Sequence, residues 1–294
     1  MSLILKNVDV AAETRCQLGE GPVWDVKENR LYFVDIFGKK VYTFNPSTNS
    51  FTSFSTGLSP GAVIPTNKSS LLLALNDGVY LCDEGGNNLE QLLEIEGDIQ
   101  GNRMNDAKCD ALGRLFGGTM GDGNSATGSF YLIANGGAAR IRENVTVSNG
   151  IAWSPDNKVI YYIDSALQSV LHSTYSLENP ADIKFKTFVD FPSSFGIPDG
   201  MCSDVEGGIW VSFFGGAAVR RFSNKGILTH TIEMPVNQIT SCAFKSGTSM
   251  LFITTASLDI EDKAISPLAG NLFAIDVGIE GVPVSTFDLI GFTA

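Results

Sequence analysis

Apolar positions along the chain recur in short runs separated by polar turns. Nowhere does the i, i+3, i+4, i+7 spacing of an amphipathic helix persist over a helix's length, so strands are predicted throughout. The recurring unit is a polar turn, a β-rich run and then a second β-rich run. The first runs are LYFVD at 31–35, LLLAL at 71–75, LFGGT at 115–119, IYYID at 160–164, IWVSF at 209–213 and LFITT at 251–255. Turns such as Asp25-Val26-Lys27-Glu28-Asn29-Arg30 and Asp204-Val205-Glu206-Gly207-Gly208 precede them. The runs that follow are KVYTF, GVYLC, GSFYLI, SVLHSTY, AAVRRF and GNLFAI. A further run often closes the unit, as at 50–54 and 229–234.

The leading residues of the first runs, Leu31, Leu71, Leu115, Ile160, Ile209 and Leu251, are spaced 40–49 residues apart. Units of that length holding four short strands predict an all-β fold, a six-bladed β-propeller of four-stranded antiparallel blades. A two-sheet sandwich has no reason to keep six units in phase. No linker rich in Pro, Ser or charge interrupts the series, so residues 1–294 read as a single propeller domain. The N-terminal segment at about 3–13, which alternates apolar and polar residues, is expected to supply an outer strand to the last blade and leave no open edge.

Composition narrows the partners. The 294 residues carry 20 Lys and Arg against 32 Asp and Glu, a net charge of −12, which argues against nucleic acid or an anionic membrane surface. The longest aliphatic run, 71–75, falls far short of the ~20 apolar residues of a spanning helix. The N-terminus lacks the basic start and sustained apolar stretch of a signal peptide. Five cysteines without close pairs read as reduced, mostly buried thiols. The expectation is a cytoplasmic protein, a monomer or small homo-oligomer.

In a propeller the innermost strand of each blade lines the central channel, and residues just before it sit at the channel mouth. Ten or eleven positions before the leading residues stand Glu20, Gly61, Asn105, Asn149, Asp199 and Ser241. Four of these six units thus offer a carboxylate or an amide at one phase. Symmetry makes them converge, and converging carboxylates call for a compensating charge. Oxygen donors without His or Cys suit a hard divalent cation such as Ca²⁺, Mg²⁺ or Mn²⁺. Glycine and proline neighbours, as in Gly19-Glu20-Gly21-Pro22, Ser148-Asn149-Gly150 and Pro198-Asp199-Gly200, are expected to aim the side chains.

Arg103 stands two residues before Asn105, on the same side of an extended segment, placed either to bind substrate oxygens or to pair with Asp106 or another carboxylate. Other chemistries lack their residues. His172 and His230 fall in second or outer strand runs, and no Gly-x-Ser-x-Gly, His-Glu-x-x-His or Cys-x-x-Cys occurs. The glycine-rich segment 117–123 lacks the Lys-Ser/Thr of a phosphate loop and reads as a blade connection.

At these positions the chain resembles the senescence-marker-protein/gluconolactonase/luciferin-regenerating (regucalcin-like) family. The motifs that carry the resemblance are Gly19-Glu20-Gly21-Pro22-Val23-Trp24, Asn102-Arg103-Met104-Asn105-Asp106, Ser148-Asn149-Gly150-Ile151-Ala152-Trp153, Ile197-Pro198-Asp199-Gly200-Met201 and Ile239-Thr240-Ser241-Cys242-Ala243-Phe244. The resemblance implies a six-bladed propeller holding one divalent metal, with Zn²⁺ and Fe²⁺ open beside the cations above. It implies Glu20, Asn149 and Asp199 as metal ligands, Arg103 and Asn105 as substrate-binding residues, and Asp199 also as the catalytic base. The implied activity is ring opening of a sugar (aldono-) lactone to the sugar acid. The segment from Ser266 to Phe273 looks like that of bacterial sugar lactonases. The segment 120–129 looks shorter than the lid-like stretch of animal relatives, and Asp122 is the acidic residue there that would meet the sugar. The alternatives are a propeller esterase or phosphotriesterase acting on non-sugar esters, and a non-catalytic metal-binding or protein-interaction propeller.

Overall fold

The strands sort into six sheets, one for each predicted unit, and within each unit the strands pair antiparallel. The structure, a computed structural model, describes residues 2–258 and 266–292. The innermost strands of blades 1 to 6 are Gly19–Asp25, Ala62–Pro65, Arg103–Cys109, Ser148–Trp153, Ile197–Ser203 and Ile239–Phe244. They touch one another in cyclic order, with Ile239–Phe244 against Gly19–Asp25, so the ring is closed. The runs picked out by periodicity are the second strands, such as Arg30–Asp35 and Ile209–Phe214. The candidate residues therefore lie inside the innermost strands, not ahead of them, because each innermost strand runs on into the polar turn. Similarly, Gly117 and Gly118 belong to the strand Leu115–Met120, and only residues 121–127 form the connection.

The polar turns have a common chemistry. Asp25, Asp110 and Asp204 each accept, at Oδ1, the backbone N–H two residues on, at 3.0, 3.0 and 3.1 Å. This Asx turn reverses the chain between first and second strands. Asp204 goes further and is fully buried. Its carboxylate accepts from Arg221 Nε at 2.6 Å and Nη2 at 3.0 Å, from Trp210 Nε1 at 2.8 Å and from Gly208 N at 2.9 Å. Removing one partner of such a buried pair strands the other charge. Asp204→Ala is expected to cost about 3–5 kcal/mol, read by denaturant unfolding. A loss below about 1 kcal/mol would contradict this account of the turn.

The N-terminal residues divide between two blades. Asp9–Ala12 pairs antiparallel with Leu272–Asp276 and is the outer strand of blade 6. Leu3–Leu5 lies parallel along Leu228–Glu233, a fifth strand on blade 5. The junction is pinned by Cys16 N–H to Gly270 O at 2.7 Å and Thr14 Oγ1 to the same oxygen at 2.9 Å. Residues 277–292 cross the far end of the channel. Val282 N–H bonds Ser203 O on blade 5, and Phe287 N–H bonds Pro65 O on blade 2.

The core lies between blades. Six clusters of buried apolar side chains each straddle two successive blades. Trp24 of blade 1 stacks on Phe252 of blade 6 at 6.0 Å, and Phe116 of blade 3 meets Trp153 of blade 4 edge-on at 5.4 Å. Each blade is apolar on both faces because both are covered, which is why second strands read as continuous apolar runs. All five cysteines are buried and free. Among the described residues no helix is long and apolar enough to cross a membrane.

Candidate active site

Five innermost strands break register with their neighbour at the ring position. The breaks fall between Glu20 and Val23, Met104 and Ala107, Asn149 and Ile151, Pro198 and Met201, and Ile239 and Ser241. Only Ala62–Pro65 of blade 2 pairs evenly. A bulge frees its residues from strict alternation and re-aims a side chain. Glycine enters for a different reason from the one expected. Gly150 and Gly200 do not have positive φ. A Cβ on Gly150 would stand 2.7 Å from the Asp199 carbonyl oxygen, and one on Gly200 would run into Ser241 Oγ. These glycines let adjacent innermost strands approach, whereas Gly21, at φ 53°, does use the left-handed region.

Glu20, Asn105, Asn149 and Asp199 are all buried at one end of the ring. Glu20 and Asp199 are near enough for each carboxyl to act on the titration of the other. Burial pushes Glu20 up from 4.5 to about 8, and the charge of Asp106 adds to the effect. Burial, and then Glu20 itself, raise Asp199 well above the usual carboxylate range. Asp106, in sequence only a possible partner of Arg103, is a third buried carboxyl near enough to act on Glu20 and Asp199, also raised, mainly by its own burial. It occupies the position that glycine fills in the motifs around Glu20, Asn149 and Asp199, so the repeat phase could have found it.

Arg103 makes no ion pair with a carboxylate among the described residues. Its Nη1 donates to Asn105 Oδ1 at 2.6 Å and to Met104 O at 3.0 Å, and Nη2 meets Met120 Sδ at 3.2 Å. Burial lowers it from 12.5 to about 10, against the pull of Glu20 and Asp199. Asn105 is a strut as well as a candidate ligand-binding group, since its Nδ2 donates to Ser148 O at 2.7 Å across to blade 4. Lys108, which sequence reasoning passes over, reaches across the channel to Met201 O at 2.7 Å.

Asp122 stands apart. It is exposed, and its Oδ1 accepts from Asn124 N at 2.9 Å and Ser125 N at 2.8 Å, so it caps its own loop. That loop is tied back by Thr127 Oγ1 donating to Asn102 Oδ1 at 2.8 Å. His172 and His230 sit in outer parts of blades 4 and 5, their rings tilted against Phe188 and Trp210. A cavity of about 290 Å³ opens at the opposite end of the channel, beside residues 282–285, and contains none of the candidate residues.

The donors fit a hard cation. Among the described residues, Asn149 Oδ1 and Asp199 Oδ1 are buried acceptors without a hydrogen-bond partner. Such atoms are costly unless something positive meets them. Among the described residues no group of three or more His, Cys, Asp or Glu side chains could hold a metal ion; the oxygens brought together here are those of the Glu20 and Asp199 carboxyls and the Asn149 amide. Soft or nitrogen-loving sites look different.

A closed six-bladed propeller with a buried acidic pair at one channel mouth defines the class. The chain belongs to the SMP-30/Gluconolactonase/LRE-like family, whose description matches residues 18–257. It is 34% identical over 288 residues to YvrE of Bacillus subtilis (strain 168), to which sugar lactone lactonase activity is ascribed, covering 92% of this chain and 96% of that protein. It is 31% identical over 290 residues to regucalcin of Xenopus laevis, covering 95% and 97%. Among solved structures, regucalcin from Agrobacterium tumefaciens, described as a calcium-binding protein, superposes with a TM-score of 0.91 at 27% identity over 100% of both chains. A luciferin-regenerating enzyme gives a TM-score of 0.91 at 28% identity, covering 96% and 99%.

Proposed function

We propose that this protein is a divalent-metal-dependent lactonase that opens the ring of a sugar lactone to the sugar acid. The observation that carries the reading is the pair of partnerless buried oxygens, Asn149 Oδ1 and Asp199 Oδ1, beside Glu20 and an Arg103 free of carboxylate partners. Family membership and the ascribed activity of YvrE support it.

In this reading Glu20, Asn149 and Asp199 hold the cation. Bound there, it supplies Lewis-acid chemistry at an ester carbonyl. Asp199 takes a proton from the attacking water at a carboxylate oxygen. Water adds to the carbonyl carbon, the ring C–O bond breaks, and the products are a carboxylate, a hydroxyl and one released proton. Arg103 offers its remaining donors to substrate oxygens, while Asn105 holds the guanidinium in place. Asp122 enters only through the loop it caps.

The test is acid release from a panel of aldonolactones, with aryl esters and phosphotriesters alongside, before and after chelation. Turnover that survives removal of all divalent metal would sink the proposal. Metal binding without turnover on any ester would favour a calcium-binding propeller, the description attached to the Agrobacterium relative. Arg103→Lys is expected to raise KM for the lactone by about tenfold with a smaller fall in kcat, the effect of losing one charge-assisted hydrogen bond. Unchanged steady-state constants would remove Arg103 from the substrate site.

A further inference from the structure

An asparagine amide has two ends of similar shape and opposite hydrogen-bonding character. For Asn149 the choice of end decides whether the channel meets an acceptor or a donor. Asn149 Nδ2 lies 3.0 Å from Ser165 Oγ, and Ser165 Oγ lies 2.7 Å from Pro198 O. A hydroxyl has one hydrogen. The Pro198 carbonyl can only accept, so the hydrogen goes there. Ser165 Oγ therefore meets Asn149 as an acceptor, and the amide must present its NH₂ to it. Oδ1 is turned the other way, where it is buried and partnerless.

The reverse orientation would set two acceptors face to face. Water has little access to relieve it, since Ser165 is 4% and Asn149 6% exposed. Ser165 is itself held. It opens the 3-10 turn Ser165–Leu167, its N–H bonds Val147 O at 3.0 Å, and Gln168 N–H bonds its carbonyl at 3.2 Å. Pro198 immediately precedes Asp199. One hydroxyl thus couples the amide on blade 4 to the strand of blade 5 that carries the second candidate ligand.

We propose that Ser165 is a positioning residue for the cation site, fixing Asn149 with its oxygen toward the channel. This rests on the reading of Glu20, Asn149 and Asp199 as cation ligands. Partners of this kind are worth about 10–100-fold in metal affinity.

The test is calorimetric titration of Ca²⁺ and Mn²⁺ into wild-type protein, Ser165→Ala, Asn149→Ala, Asn149→Asp and Ser165→Ala/Asn149→Asp. Ser165→Ala is expected to weaken binding about 10–100-fold. An aspartate has an acceptor at both ends and no wrong orientation. In the Asn149→Asp background the same substitution should therefore cost less than about threefold. A second readout needs neither metal nor that background. By NMR of the metal-free protein, the Asn149 side-chain amide protons should exchange with water at least about tenfold faster in Ser165→Ala. Equal loss of affinity in both backgrounds, unchanged affinity in Ser165→Ala or unchanged amide exchange overturns the inference. Absence of cation binding in wild-type protein, or full affinity in Asn149→Ala, removes the underlying reading and the inference with it.

Discussion

Asp199→Asn should lower lactone hydrolysis by about a thousandfold, within the range a positioned proton-transfer group contributes, while the metal-free protein melts no lower than wild type. The two halves have one cause. Asp199 is buried against Glu20, and its carboxyl is held well above the usual range by burial and by that neighbour. At neutral pH the folded, metal-free protein must either keep a proton on it or bury its charge, and both cost stability relative to the unfolded chain. Asparagine has nearly the same volume and no charge, so the substitution relieves that cost while removing the base. Scanning calorimetry in chelator and steady-state lactone kinetics with added metal measure the two halves. Retention of more than about a tenth of wild-type activity would exclude Asp199 as the base. A lowered melting temperature would mean that the carboxylate stabilises the fold, the opposite of a buried charge that costs stability.

The second large effect is a reversal in how stability depends on pH. In the metal-free protein Glu20 keeps its proton to about pH 8, against 4.5 for an ordinary glutamic acid. Between those values the folded state binds more protons than the unfolded state, so stability falls as pH rises. The contribution is full below about pH 4.5 and lost as pH passes through about 8. Asp199 acts in the same direction. At about 2 °C per kcal/mol for a chain this long, the melting temperature should drop on the order of 5 °C or more from pH 5 to 8.5 in chelator. With millimolar divalent cation the same carboxyls must lose their protons to bind, so affinity and melting temperature should rise with pH across this window. Parallel pH profiles with and without cation would show that the acidic pair is not where the cation binds.

The same mouth shows how far the sequence can be read. The sixfold repeat is legible because each blade is built from contacts close in the chain. An Asx turn at Asp25, Asp110 or Asp204 and a pair of apolar runs leave a local mark, whatever surrounds them. Glu20, Asn105, Asn149 and Asp199 can be placed at one end of the channel by phase alone, since rotation about the axis carries one onto the next. The glycines beside them mislead. Gly150 and Gly200 look like turn residues in sequence, yet they serve the approach of a neighbouring strand, a contact made with residues some forty to fifty positions away. The two-blade path of the N-terminus is hidden for the same reason, because Leu3–Leu5 joins Leu228–Glu233 through backbone pairing that any extended segment could make.

The sequence by itself determined the number of blades, the strand content and that Glu20, Asn105, Asn149 and Asp199 share one phase of the repeat, because these follow from periodicity, and periodicity is a property of the chain. The tertiary structure alone decided the state of those side chains. Asn105 is tied to Arg103 and to Ser148 O, Asp122 is turned onto its own loop, and Asn149 Oδ1 and Asp199 Oδ1 are left without partners. Protonation and hydrogen bonding depend on what is buried within a few ångströms, and at this mouth several of those neighbours, such as Ser148 for Asn105 and Glu20 for Asp199, come from other blades.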